Sequence, residues 1–341
     1  MVEFITENEL FDYQAFSDDV DIQHLAREAV EHSTKLYPIY IMMHYHNGEQ
    51  LTKEQIDWLE LLIDFVAYYD ADITLVLNEQ DLQTFRDYDE DNNFKYLVHS
   101  CYDSSNELSN NIARIKNFIL KSAASRFGNK NINWIYLIEE DVKINRFTQQ
   151  RFVECTHVQD VAISFAIWQY LTTKKAYSFL KDENVVGLSG ITESKNKFQE
   201  FIIDKALMTS ALLINLSECN RKHIEYDLMS DIMEDEDFNV SMFANGLHVA
   251  GIGWPLSLTR LNHEYRTSRK LSNLAINLWA KWGDKIVKKL FVDNNQIKPL
   301  IASDFSNIIE EFNSSSKHRI QWPKNEVVLA EYLTKKRDIV S

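Results

Sequence analysis

The sequence predicts an α/β fold with a mostly parallel central sheet flanked by helices, and with helical extensions at both ends. Between Tyr37 and Val142, short apolar runs rich in β-branched residues alternate with segments of helical periodicity. This alternation is typical of parallel strands joined by helical crossovers. The 341 residues include 8 glycines and 4 prolines, which favours long regular elements with short connections.

Four apolar runs predict the first core strands, at residues 38–44, 72–78, 94–99 and 134–138. Three helices are expected to precede or connect them, at residues 19–37, 52–66 and 106–122, with a shorter one through Phe85 and Tyr88. Thr52 followed by Gln55 forms a capping-box signature for the second of these. The last carries Leu108, Ile112, Ile115 and Ile119 on one face.

Further strands are predicted at residues 184–190, 207–215 and 246–251, and helices at 159–179 and 239–244. The region after Lys270 is mostly helical in pattern. We therefore expect a helical cover at residues 1–36, a main domain at 37–285 and a helical extension at 286–341.

The composition is that of a soluble globular protein, with 45% hydrophobic and 26% charged residues. Neither a membrane-spanning run nor a signal peptide is present in the pattern, so no membrane partner is predicted and a cytoplasmic location is expected. Cys101, Cys155 and Cys219 are far apart, which is typical of reduced thiols. The formal charge of −15 argues against broad nonspecific binding to nucleic acid.

The segment Trp134–Val142 carries the strongest functional signal. Its apolar strand runs directly into three carboxylates, Glu139, Glu140 and Asp141. Ligands of α/β sheets bind beyond the carboxyl ends of the strands, and adjacent acids repel unless a cation compensates them. Oxygen ligands suit Mg²⁺ or Mn²⁺, which in turn suit a diphosphate. The alternative is a solvated acidic turn or a helix cap.

A second acid cluster lies at Glu234–Asp237, about a hundred residues later. The two clusters can converge only if the sheet brings them to the same edge, which the predicted strand order permits. Asp237 is predicted to cap the helix that follows. A solvated acidic turn is again the alternative. His44 and His46 alternate on a strand exit, so they either form a separate metal site or share a face without function.

Several of these segments resemble motifs of the GT-A-fold nucleotide-sugar glycosyltransferases, over about residues 37–285. The acids at 139–141 resemble the DxD element, and Glu234–Phe238 with Asn245-Gly246 resembles the later "ED-x-DF … G" element. Ala113-Arg114 resembles the "ARN" helix, and Asn273–Gly283 the "N … KWG" segment. The resemblance implies a Rossmann-like GT-A domain.

Residues 73–88, Arg114 and the strand 136–142 together resemble a narrower group, the TET/JBP-associated glycosyltransferases, which implies a hydroxymethylated DNA base as acceptor. Three features depart from these families. Glu replaces Asp at 139 and 140, His44-Tyr-His46 replaces a Ser- or Asn-rich strand exit, and the acidic charge suits DNA poorly.

The resemblance also implies residue roles. Glu139, Asp141 and His263 would hold Mn²⁺ or Mg²⁺ on the diphosphate of a UDP-sugar donor. Glu79, Arg114 and Glu140 would contact the nucleotide. Asp235 would act as the general base in an inverting transfer, and Glu234 would keep its basicity up. For each residue, an ordinary surface position is the alternative.

Two other functions fit the same pattern. A nucleotidyltransferase also uses divalent cations on a diphosphate, although His44–Gly48 is not the Gly-rich basic loop such enzymes usually carry. A degenerate GT-A module that binds a carbohydrate or partner without turnover is favoured by the glutamates at 139 and 140. The sugar, the acceptor and the oligomeric state have no signature in the sequence.

Overall fold

The computed structural model describes residues 20–32, 35–43, 51–91, 93–100, 108–127, 134–140, 142–148, 151–176, 185–191, 202–203, 209–226, 234–245 and 247–258. The His44 and His46 pair, Asp141, His263 and the expected helical extension at 286–341 lie outside these residues.

Ten strands in the described residues form one sheet. They are β1 (Ile39–Met43), β2 (Ile73–Asn78), β3 (Lys95–His99), β4 (Trp134–Glu139), β5 (Val142–Thr148), β6 (Arg151–Glu154), β7 (Val185–Ile191), β8 (Ile202–Ile203), β9 (Ala211–Asn215) and β10 (His248–Leu258). The order is β3-β2-β1-β4-β9-β7-β10-β5-β6, with β8 beside β10. Strands β5, β8 and β9 run against the others. The predicted mostly parallel α/β sheet is confirmed.

Seven α-helices accompany these strands in the described residues. They are α1 (Val20–His32), α2 (Lys53–Tyr69), α3 (Leu82–Tyr88), α4 (Leu108–Phe127), α5 (Val158–Tyr170), α6 (Leu216–Lys222) and α7 (Glu234–Ala244). A 3₁₀ turn at Glu79–Asp81 precedes α3, and a π-helix at Leu171–Ala176 extends α5. The predicted capping box is present, since Thr52 accepts a hydrogen bond from the Gln55 backbone and the Gln55 side chain accepts one from Thr52.

The sheet has a hydrophobic core on each face. Helices α1, α2 and α5 cover one face, and α4, α6 and α7 cover the other. Successive strand residues point to opposite faces. On β4, Trp134, Tyr136 and Ile138 therefore belong to the first core, while Ile135 and Leu137 belong to the second. The same alternation directs Glu139 towards α4 and α7.

The described helices include none that is both long enough and apolar enough to cross a membrane. Helix α1 packs on α5, where the Tyr170 hydroxyl donates to the Glu28 carboxylate at 3.2 Å. The division into a cover at residues 1–36, a main domain at 37–285 and an extension at 286–341 stays a prediction.

Three local expectations are wrong. The β5–β6 hairpin follows the acidic strand directly, in a segment for which no strand was predicted. The helix expected at 159–179 changes to π geometry at Leu171. Asp237 does not cap a helix from outside, because α7 already begins at Glu234 and Asp237 is buried within it.

Candidate functional site

The two acid clusters meet at one edge of the sheet, beyond the carboxyl end of β4. Glu139 is the last residue of β4, and its backbone N–H donates to the Ser210 carbonyl, just before β9, at 2.8 Å. Glu234 and Asp235 form the start of α7. In α/β sheets this edge is where ligands bind. The predicted convergence of the clusters is thus present in the structure.

A lysine that the sequence did not single out joins them. Lys116 projects from α4, and its side chain has no solvent exposure. Its ammonium group has three acceptors at hydrogen-bonding distance, namely Glu139 Oε1 at 2.8 Å, Asp235 Oδ1 at 2.9 Å and Thr209 Oγ1 at 3.1 Å. An ammonium group has three N–H donors, so these partners use all of them. Glu234 Oε1 lies further away, at 3.9 Å.

Thr209 and Tyr226 complete the wall of this cluster. The Thr209 hydroxyl donates to Asp235 and accepts from the Tyr226 hydroxyl at 3.2 Å. The Tyr226 ring lies 5.1 Å from the Lys116 ammonium and stacks on Phe238 of α7 at 4.0 Å between centroids. Asn117, next to Lys116, exchanges two hydrogen bonds with the Tyr226 backbone. The network therefore fixes α4, α7 and the strand edge to one another.

The acids retain a small opening to solvent, whereas the lysine has none. Exposure is 10% for the Glu139 side chain, 11% for Glu234 and 15% for Asp235. A ligand at this edge can thus reach carboxylate oxygens but not the ammonium group, which lies behind them.

The pKa values of the first two acids of α7, Glu234 and Asp235, are shifted in opposite directions. Burial and the charge of Asp235 raise the pKa of Glu234 to about 8. Burial also acts to raise the pKa of Asp235, but Lys116 and the hydrogen bond from Thr209 outweigh it and lower that pKa below its ordinary value. Burial acts to lower the pKa of Lys116, and the charges of Asp235 and Glu139 instead raise it well above its ordinary value. Glu234 is the acid whose protonation changes near neutral pH.

The three residues predicted to contact the nucleotide, Glu79, Arg114 and Glu140, lie in different environments. Glu140 is buried in the turn after β4, and its backbone N–H donates to the Met42 carbonyl at 3.1 Å. Arg114 is exposed on α4, and Glu79 is exposed at the start of the 3₁₀ turn after β2. Both lie on elements that follow the carboxyl ends of parallel strands, β3 and β2. Their contact with a nucleotide stays a prediction.

Lys116, Thr209 and Tyr226 are the members of the cluster that sequence reasoning missed. One signal was present in the helix pattern. Ile112, Ala113 and Ile115 precede Lys116, and Ile119 and Leu120 follow it. With apolar residues on so much of the helix circumference, a lysine in their midst is buried, and a buried lysine needs acidic partners.

Only one of the three predicted metal ligands, Glu139, lies in the described residues. Glu139 pairs with Lys116 at 2.8 Å. The described part of the chain contains no group of three or more His, Cys, Asp or Glu side chains placed to hold a metal ion. Asp141 and His263, the other predicted ligands, lie outside that part. Glu139 has an ammonium partner in the described residues, and its role as a metal ligand stays a prediction.

No protein-family model matches the chain, and no curated protein matches it significantly. Among solved structures, residues 1–349 of S. aureus TarS are similar at 12% identity, with 84% of this chain and 94% of that chain covered and a TM-score of 0.41. A longer S. aureus TarS structure matches at 12% identity, covering 88% of this chain and 53% of that one, with a TM-score of 0.43. TarS 1–349 in complex with UDP matches at 12% identity, over 84% and 94%, with a TM-score of 0.40.

Proposed function

We propose that this protein is a glycosyltransferase that moves a hexose from a UDP-sugar to an acceptor hydroxyl. The observation that carries the proposal is the meeting of Glu139 with Glu234 and Asp235 at the carboxyl end of β4. These are the two acid groups through which the sequence resembles GT-A enzymes. Glu234 and Asp235 follow Glu139 by 95 and 96 positions in the chain. All three carboxylates lie around the Lys116 ammonium.

Glu234 suits the role of general base better than Asp235. The sequence assigned that role to Asp235, with Glu234 in support. Asp235 accepts hydrogen bonds from Lys116 and Thr209, and its pKa is lowered, so it is a weak proton acceptor. The pKa of Glu234 is raised to about 8 by burial and by Asp235, which matches a base that works near neutral pH.

The proposed reaction is a single displacement. The acceptor oxygen forms a bond to the anomeric carbon while the bond from that carbon to the phosphate oxygen breaks. The nucleoside diphosphate leaves with the electron pair, and Glu234 takes the acceptor proton. Attack opposite the leaving group inverts the anomeric carbon. Arg114 would pair with the phosphates, since its planar guanidinium binds two oxygens at once. Dependence on Mn²⁺ or Mg²⁺, and a DNA base as acceptor, stay predictions of the resemblance.

A second candidate is a nucleotide-sugar binding module without turnover. It is favoured by the commitment of Asp235 to Lys116 and Thr209, which leaves one fewer free carboxylate at the site. The two candidates share the donor and differ in whether the glycosidic phosphate bond is broken.

The experiment is a screen of UDP-sugars that records both thermal stabilisation and slow release of UDP. The transferase is expected to bind at about millimolar concentration or better and to leak sugar to water with one donor. The variant Glu234→Gln should still bind this donor but lose UDP release. Glu225→Gln, at a carboxylate that is 54% exposed, is the matched control and should keep both.

The possible results of the screen distinguish the two candidate functions. Binding without release by the wild type supports the binding module. Stabilisation by no UDP-sugar at about 1 mM, the weak end of specific binding, contradicts both candidates. Normal UDP release by Glu234→Gln removes Glu234 from the mechanism and returns the role to Asp235.

A further inference from the structure

The side chain of Lys116 connects three parts of the fold that are distant in sequence. It leaves α4, reaches the end of β4 through Glu139 and reaches the first turn of α7 through Asp235. Thr209, which precedes β9, supplies the third acceptor. An ammonium ion with no solvent exposure and three acceptors is held in one position, since every N–H group is used.

A cation is required at this place. Carboxylates from β4 and α7 that approach one another repel, and burial raises the cost of that repulsion. The sequence predicts a divalent metal ion that compensates the adjacent acids at 139–141, with Glu139 among its ligands. In the structure, the Lys116 ammonium lies between Glu139 and Asp235 and supplies a compensating charge.

We propose that Lys116 is a positioning residue of the proposed transferase, whose ammonium group lies between Glu139 and Asp235 and engages the Glu139 carboxylate that was predicted to bind a divalent cation. Any metal ion that this protein uses is then held without Glu139. The proposal rests on the proposed function for its catalytic part, and on the contacts of Lys116 for the rest.

The geometry shows how Lys116 acts on Glu234. Asp235 is fixed by the ammonium and by Thr209, and the Asn239 side chain donates to the Asp235 carbonyl at 2.6 Å. Glu234 precedes Asp235 in the same turn, and its carboxylate lies 3.9 Å from the ammonium, beyond a hydrogen bond. Holding Asp235 therefore sets the position of the turn that carries Glu234 while leaving the Glu234 carboxylate available.

The metal part of the proposal is tested by Mn²⁺ titration, followed by the electron paramagnetic resonance signal of free Mn²⁺. Glu139→Gln keeps Lys116 and removes the charge that a metal would need. Its Mn²⁺ affinity is expected to stay within about threefold of the wild type, because Glu139 is not a ligand. Asp141→Asn, at the other predicted ligand in that motif, is the comparison.

The outcomes decide the question without a working assay for transfer. Loss of more than about tenfold in Mn²⁺ affinity in Glu139→Gln would overturn the proposal, since a loss of about 10- to 100-fold is what removing even a side chain that supports a metal ligand causes, and Glu139 would then belong to the metal site. A wild type that binds no Mn²⁺ supports it. A loss confined to Asp141→Asn also supports it, because the metal is then held without Glu139.

The positioning part is tested with Lys116→Met under transfer conditions. We expect kcat per folded molecule to fall by about tenfold to a hundredfold, with the KM for the donor changed by less than about twofold, because the base-bearing turn is displaced while the donor contacts are kept. Lys121→Met is the matched control, since Lys121 is on the same helix and 66% exposed. It should keep both constants.

A purely structural lysine would lower the folded fraction and leave kcat per folded molecule unchanged, which would overturn the positioning role. If Lys116→Met does not fold, Thr209→Val removes one donor to Asp235 and one acceptor of Lys116 and should lower kcat in the same selective way. If no UDP-sugar is turned over by the wild type, the proposed function fails, while the Mn²⁺ titration still tests the place of Lys116.

Discussion

Lys116 and Asp235 are 119 positions apart in the chain, and their side chains form an ion pair with 2.9 Å between Nζ and Oδ1. The pair connects α4, which covers the second core, to the first turn of α7. Glu139 and Thr209 share the same ammonium group. A single buried ammonium group is therefore in contact with acids from two separate elements, β4 and α7.

Replacing Lys116 by methionine should destabilise the protein strongly. The change leaves the carboxylates of Glu139 and Asp235 buried next to one another without a counter-ion. Removing one member of a buried ion pair costs about 3–5 kcal/mol. Urea unfolding followed by far-UV circular dichroism measures the loss.

Two further variants give the comparison for this change. Lys121→Met on the same helix removes a lysine that is 66% exposed, and should change the free energy of unfolding by less than about 1 kcal/mol. Combining Lys116→Met with Glu139→Gln and Asp235→Asn should recover much of the loss, because no unpaired charge is left. Equal destabilisation by the two lysine variants would contradict the assigned role of the ion pair.

Stability should fall as the pH rises towards 8, and Glu234 should be the cause. Burial and the charge of Asp235 raise the pKa of Glu234 to about 8 in the folded protein, whereas the unfolded chain has the ordinary value. Between those two values the folded state binds more protons than the unfolded state. The free energy of unfolding therefore decreases with pH over that range.

Glu234→Gln removes this titration. Its free energy of unfolding should change less than that of the wild type between about pH 5 and pH 8. Thermal or urea unfolding at intervals across the range is the measurement. Asp235 contributes in the opposite sense, since a lowered pKa gives stability that is lost only as the pH falls through acidic values. Parallel curves for the two proteins would show that Glu234 ionises normally.

The core strands were predictable because they are encoded by contiguous residues. The runs at 38–44, 72–78 and 94–99 correspond to β1, β2 and β3, with ends that differ by a residue or so. Burial on both faces gives β1 and β2 an unbroken apolar run, whereas β3, at the end of the sheet, is only partly buried. The β5–β6 hairpin was not predicted because Gln149 and Gln150, between its strands, carry none of the usual turn signals.

The acids of the site were predictable from the sequence, but their lysine partner was not. The acids at 139 and 234–235 stand at the ends of elements, so the strand order alone brings them to one edge. The apolar neighbours of Lys116 on its helix indicate that it is buried but not which groups it contacts, since its partners Thr209 and Asp235 are 93 and 119 positions away. A lysine in a helix is ordinarily solvated, and the contacts that bury this one come from the tertiary fold.

Substitution of Thr52 in the capping box at the start of α2 should lower the free energy of unfolding by a measurable amount. Thr52 accepts a hydrogen bond from the Gln55 backbone at 3.3 Å, and the Gln55 side chain accepts one from Thr52 at 2.7 Å. Thr52→Ala should lower the free energy of unfolding by about 1 kcal/mol, because it leaves a helix N–H without its partner. Chemical denaturation checks this value, with Thr52→Ser as the control that keeps the cap. An alanine variant as stable as the serine variant would contradict it.

The variant Arg114→Ala should affect ligand binding without affecting the stability of the fold. Its side chain is exposed on α4, so Arg114→Ala should change the free energy of unfolding by less than about 0.5 kcal/mol. If Arg114 pairs with the donor phosphates, UDP affinity should fall by about tenfold, the effect of losing a charge-assisted hydrogen bond. Isothermal titration with UDP measures this. Arg126→Ala is the comparison. Arg126 is on the same helix as Arg114 but pairs with Asp72, so this variant should leave UDP affinity unchanged.

The rate of transfer should increase with pH through the pKa of Glu234. A general base has to be deprotonated before it can accept the acceptor proton. Burial and Asp235 hold that pKa near 8, so kcat/KM should rise from pH 6 and level off above about pH 8 to 9. Asp235, with its lowered pKa, is already ionised over this range and would give a flat profile as base.

Asp235→Asn should lower the pKa of Glu234 by removing a neighbouring negative charge, and so move the rising limb to lower pH. An unchanged limb in that variant, or a flat wild-type profile, would exclude Glu234 as the proton acceptor.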